Sequence, residues 1–144
     1  MIHQATRKAL DLYEHERPDS CPVAQNADIT NLSMRQVGQL HQYYTSMHAY
    51  AIQELARSDQ DLTLAEYSHD VAKKQLFLSL DSGQQKYKID AEISQNENIQ
   101  KSWDLVLEKR AYKEMLSAMS RGLESKAAMT SREISRRGAE RNQS

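Results

Sequence analysis

A chain of 144 residues, 39% apolar and 27% charged, has room for one domain with a modest core and a well-solvated surface. Four Gly and two Pro are too few for the turns of an all-β fold, and no window approaches the roughly 20 apolar residues that cross a bilayer, so composition selects a mostly helical, non-membrane class. The net charge of −1 hides a polarity: residues 1–72 carry 5 Lys/Arg against 10 Asp/Glu, and residues 73–144 carry 14 against 10. An acidic half joined to a basic half suits head-to-tail self-association, or a basic face kept for a phosphate backbone. The lone Cys21 has no partner for an internal disulfide and no apolar secretion segment opens the chain, which places the expected setting in a reducing cytoplasm.

In chain order, Ile2, Ala5, Ala9, Leu12 and Tyr13 fall near helical spacing and predict a short helix over 2–16, which Pro18 and Pro22 end. Residues 18–31 then read as a loop, dividing an N-terminal helix and loop (1–31) from a helical domain (32–144). Ser33-x-x-Gln36 has the form of a capping box and feeds Val37, Leu40, Tyr44, Met47, Ala51 and Leu55 at steps of three and four. Asp59-Gln60-Asp61 is expected to interrupt this helix, with Thr63-x-x-Glu66 restarting it and Ser82-Gly83 ending it. The segment 84–98 contains Lys86-Tyr87-Lys88-Ile89, whose alternation permits a strand while its neighbours Ala91 and Glu92 suit helix; both readings stay open.

From Ser94 or Asn98 a long helix is predicted to run to about Arg141, spanning about 60 Å, more than one small core requires. Trp103, Leu107, Ala111, Met115, Ala118 and Gly122 form one apolar stripe, with Leu105, Tyr112, Leu116, Met119 and Leu123 beside it. So broad an apolar surface favours contact with neighbours on two sides, and Trp103, Leu107, Ala111, Met115, Met119 and Gly122 are the expected oligomer interface. Gly122, costing about 1 kcal/mol against Ala inside a helix, marks a kink or a close helix approach.

Opposite that stripe, helical geometry places Lys109, Lys113, Arg110 and Arg121, a face able to follow a phosphate backbone and equally readable as an ordinary solvated surface. Arg132, Arg136, Arg137 and Arg141 cluster at the end, offset only by Glu133 and Glu140; polyanion binding and pairing with the helix C-terminal dipole both account for such a group. Lys73-Lys74 and Lys86-Tyr87-Lys88 flank the Ser82-Gly83 turn and would converge on one patch with Tyr87 as a ring for base stacking, the natural ligand being single-stranded nucleic acid. His41 and His48, seven apart, lack further ligands at metal-site spacing and read as structural. Cys21 and His15 leave a Cys-His pairing open, but no phosphate loop, glycine-rich elbow or strand-turn-helix context accompanies them, so no enzyme, cofactor or metal is expected.

Trp103-x-Leu105-Val106-Leu107, followed about five turns later by Ser120-Arg121-Gly122-x-x-x-Lys126, resembles the C-terminal region of the phage recombination mediators, the UvsY-like proteins. The ending Ser131-Arg132-Glu133-Ile134-Ser135-Arg136-Arg137 is similar to the tails of small phage proteins near that family, and the resemblance covers about residues 70–137. It implies an all-helical subunit closing into a homo-oligomeric, heptameric ring, acting in the cytoplasm of the bacterial host. There it binds single-stranded DNA, weakens the hold of single-stranded-DNA-binding protein, and loads a RecA-type recombinase during homologous recombination and repair. A Lys-x-Arg pair ahead of the Trp helix binds DNA in that family. Lys73, Lys74, Lys86 and Lys88 are the nearest positions here, and Lys86-x-Lys88 replaces the planar, bidentate Arg by Lys. The N-terminal 60 residues have no counterpart. A second class fits the same residues: a structural or interaction protein, such as an assembly chaperone, scaffold or host-directed inhibitor, whose basic end meets the acidic half of a neighbour.

Overall fold

The computed structural model describes residues 15–24, 27–80 and 83–144, and among them every regular element is helical. A 3₁₀ turn (Ile29–Asn31) precedes three α-helices: α1 (Met34–Ser79), α2 (Lys86–Gln95) and α3 (Glu97–Gln143). The expected all-α class and the long C-terminal helix are therefore observed. The helix expected over 2–16 lies almost wholly outside the described residues.

Local chemistry explains most boundaries. Ser33 and Gln36 form the reciprocal capping box, Gln36 N–H donating to Ser33 Oγ at 3.2 Å and Ser33 N–H donating to Gln36 Oε1 at 2.9 Å. The break expected at Asp59-Gln60-Asp61 does not occur. Neither Gly nor Pro lies between Gly38 and Gly83, aspartate costs a helix well under 1 kcal/mol, and Asp59 is compensated by an ion pair to Lys113. Thr63 is accordingly no cap: its hydroxyl donates back to the Asp59 carbonyl at 2.9 Å, inside the helix. Segment 84–98 resolves into helix α2, and α3 starts from a different cap than either expected. Asn96 Oδ1 accepts from the Asn98 and Ile99 N–H groups at 3.0 and 3.1 Å.

The chain divides into two compact units, the first holding residues through Glu54 together with Leu116–Ser144, the second Leu55–Met115. In the first, Val23, Leu40 and Tyr44 are buried with Cys21, Leu32, Tyr43, Leu123 and Ala127 packed against them, and burial pushes the Tyr44 phenol up from its ordinary range. Thr130 is fully buried. Its hydroxyl lies 2.9 Å from the Ala127 carbonyl and shares a 2.8 Å hydrogen bond with His41 Nδ1, which joins α3 to α1.

The end of α3 is tied to the 3₁₀ turn by Arg137. Its guanidinium donates to the carbonyls of Leu32 at 2.7 Å and Ile29 at 3.0 Å, and to Glu133 at 2.6 Å. Glu133 also takes a two-pronged contact from Arg136, at 2.7 and 3.0 Å. The hydrogen bonds of Arg136 and then Arg137 hold the Glu133 carboxyl down at about 2, against an ordinary value of 4.5. Because the folded value is the lower one, the stabilisation is complete above about pH 4.5 and drains away as pH falls toward 2. Denaturation midpoints of the native chain and of Glu133→Gln should therefore differ most near neutrality and converge below pH 3. A gap that stays constant across this range would contradict the assignment.

In the second unit, Leu62, Ala65 and the fully buried Val106 make a small core between α1 and α3. Arg110 and Lys113 of α3 reach Glu66 and Asp59 of α1 on either side of it. Around it, the α3 positions turned inward are Ile99, Ser102, Val106, Lys109 and Lys113, spaced at three and four residues. The face carrying Lys109, Arg110 and Lys113 is thus directed toward α1, whereas Trp103, Leu107, Ala111 and Met115 are exposed. In the first unit, Leu116, Ser120, Leu123, Ala127, Thr130, Ile134 and Arg137 continue the inward spacing while Met119 and Gly122 are exposed.

Candidate nucleic-acid interface

The second unit contains one cleft that gathers residues from all three of its helices. His69 and Lys73 come from α1, Asp90, Ile93 and Ser94 from α2, and Ile99, Gln100 and Trp103 from the start of α3, lining an open depression of about 280 Å3. That volume sits at the small end of sites for compact organic ligands. Its geometry follows from the short link at Asn96, which lets α2 and the first turns of α3 share a wall. Gln100 Nε2 donates to the Ser94 carbonyl at 2.8 Å and ties the two helices across that link.

A chain of polar contacts holds the Trp103 ring. Ser102 Oγ lies 2.8 Å from the Ile99 carbonyl and shares a 2.8 Å hydrogen bond with His69 Nδ1. The His69 ring lies 5.2 Å from the Trp103 ring at 43°, and the Arg110 guanidinium stands 5.7 Å from the Trp103 centroid while donating to Glu66 at 3.2 Å. The half-exposed indole thus contacts a buried imidazole and a guanidinium, each of which is itself held by a second partner.

The expected DNA-binding residues separate into three groups. Lys73 lines the cleft, only loosely associated with Asp70 at 4.0 Å, while Lys74, Lys86, Tyr87 and Lys88 are exposed and do not line it. Because 86–95 is helix, Lys86 lies about 40° from Asp90 on the cleft-facing stripe while Lys88, two residues further, lies about 200° from Lys86. A strand would have pointed both lysines the same way; the helix does not let them converge. Arg110, Arg136 and Arg137 are engaged by carboxylates, and Arg137 by main-chain carbonyls as well. Arg121 and Arg132 are exposed on α3 in the first unit, apart from the cleft residues in sequence and assigned to the other compact unit.

Sequence reasoning did not select His69, Asp90, Ser94 or Gln100. His69 was accessible from the spacing Ala65, His69, Ala72, Leu76, a regular continuation of the inward stripe of α1. The other three depended on how α2 folds against α3, which no local pattern encodes. Among the described residues no group of three or more His, Cys, Asp or Glu is placed to hold a metal ion, and no helix is long and apolar enough to cross a membrane.

Fold and cleft together define a class: an all-helical protein with a small aromatic-walled cleft lined by one lysine and one aspartate, and a long C-terminal helix carrying exposed apolar side chains. No family model, curated protein or solved structure matches this chain.

Proposed function

We propose that this is a non-enzymatic single-stranded-DNA-binding protein that works as a homo-oligomer and mediates loading of a RecA-type recombinase, in competition with single-stranded-DNA-binding protein, during phage recombination and repair in the bacterial cytoplasm. One observation carries the reading: Lys73 lines a cleft walled by an aromatic ring, and Lys86 lies one turn before the cleft-lining Asp90 on α2. Lysine charge follows any phosphate backbone and aromatic faces accept any base, which together make a sequence-tolerant binder of unpaired strands.

Self-association is supported by what α3 leaves uncovered. Within the second unit Leu107 is 44% exposed and Met115 51%. Within the first, Met119 is 51% exposed and a Cβ on Gly122 would meet nothing within 4 Å, so among the described residues no neighbour requires glycine there. Large apolar side chains on one helix face are the usual material of an interface between copies. An oligomer would repeat the lysine-bordered cleft several times along one strand, raising the effective affinity for long DNA over short DNA without any new contact. Donation of that strand to the recombinase then needs only that each individual contact be weak enough to exchange.

Light-scattering mass, measured with and without a thymidylate strand at low and high ionic strength, tests both halves. The expected result is a multiple of the 16.6 kDa chain at either salt, with added mass from DNA at low salt only. A monomer that ignores the strand at every salt concentration would reject the proposal. The pairing of Arg110, Lys113, Arg136 and Arg137 with carboxylates favours a second reading, an assembly or interaction protein whose cations serve its own packing. An oligomer with no DNA-dependent gain in mass would select that reading.

A further inference from the structure

Resting on the single-stranded-DNA reading, we infer that the α1–α2–α3 cleft takes one unstacked nucleobase against Trp103, with the adjoining phosphate on Lys73. The cleft joins an indole that is 42% exposed beside its His69 and Arg110 neighbours, a cation at the rim and an interior of Ile93 and Ile99, a composition suited to a flat aromatic ligand with one negative charge. Gln100 Nε2 and Ser94 Oγ already donate to the Ser94 and Ala91 carbonyls, so the charged groups offered to a ligand are Lys73 and Asp90. Asp90 lies on the α2 stripe that also carries Lys86. Its carboxylate has no phosphate to accept, because it would repel one, but it accepts a hydrogen bond from a base N–H. The cleft therefore reads as a seat for a base rather than a groove for the sugar-phosphate chain alone. Lys86 extends the phosphate path one turn beyond it.

Trp103 is the only tryptophan, so its emission reports directly on this cleft. The experiment titrates the full-length protein with a twelve-residue thymidylate strand and with an abasic sugar-phosphate strand of equal length and charge, following probe anisotropy for binding and tryptophan emission for stacking. The thymidylate strand should bind and quench; the abasic strand should bind roughly 5- to 150-fold more weakly and leave emission unchanged, as expected for loss of one stacked base. Trp103→Leu should lower thymidylate affinity by a similar factor and Trp103→Phe by much less, with helicity checked by circular dichroism. The wild-type emission comparison stands even if Trp103→Leu unfolds. Binding of both strands with equal affinity, or with emission unchanged or equally changed, would overturn this inference and leave the DNA-binding reading intact. Binding of neither strand would remove that reading and the inference with it.

Discussion

Simultaneous replacement of Lys73, Lys74 and Lys86 by alanine is expected to lower affinity for single-stranded DNA by roughly 500- to 1000-fold near 50 mM salt, and to flatten its salt dependence. Each phosphate contact to a single strand contributes a slope of about 0.7 in log affinity per decade of salt, so three lost contacts remove a slope of about 2 and roughly tenfold in affinity apiece at that salt concentration. Anisotropy titrations at a series of salt concentrations measure both quantities. Lys88→Ala is the internal comparison, since the helical turn carries Lys88 to the far side of α2 from Lys86 and the cleft. Equal losses from Lys86→Ala and Lys88→Ala would show that the orientation of α2 does not govern binding. An unchanged slope in the triple variant would move the phosphate path elsewhere.

Arg137→Ala is expected to destabilise the first unit by about 2 kcal/mol while leaving DNA affinity unchanged. The side chain is largely withdrawn from solvent and donates to the Leu32 and Ile29 carbonyls, which lose their charged partner in the variant. For a chain of this size that amounts to a fall of roughly 5–10 °C in the thermal midpoint. Arg137→Lys should recover little, because one ammonium cannot replace a planar fork that reaches two carbonyls and a carboxylate at once. Arg136→Ala should cost less, its side chain being half exposed and making no main-chain contact. Thermal melts of the three variants rank them; a stable Arg137→Ala protein with weakened DNA binding would return Arg137 to the nucleic-acid surface on which its sequence position first placed it.

The contrast between these two expectations shows how far the residues speak for themselves. Scarcity of Gly and Pro, the Ser33-Gln36 box and the three-and-four spacing of Val37, Leu40 and Tyr44 are local signals, and the structure realises them as an all-helical chain with a C-terminal helix of 47 residues. The aspartates at 59 and 61 misled because a charge cluster resembles a loop when its partner, Lys113, lies 54 residues away. For the same reason the charge pattern at the C-terminus resembled a polyanion surface: its carbonyl acceptors at Ile29 and Leu32 lie more than 100 positions upstream.

Which side of α3 turns inward was decided only by tertiary packing. Hydrophobic periodicity ranks faces by their largest apolar side chains and so selects Trp103, Leu107 and Met115, yet the inward positions include Ser102, Lys113, Ser120, Thr130 and Arg137. These polar groups are accepted inside because hydrogen bonds and ion pairs from distant residues satisfy several of them: His69 for Ser102, Asp59 for Lys113, His41 for Thr130, and the 3₁₀ turn for Arg137. Composition and local spacing determined that this chain is helical and where several of its helices begin; the pairing of polar groups far apart in sequence decided which faces meet, and with that which side chains stand around the cleft.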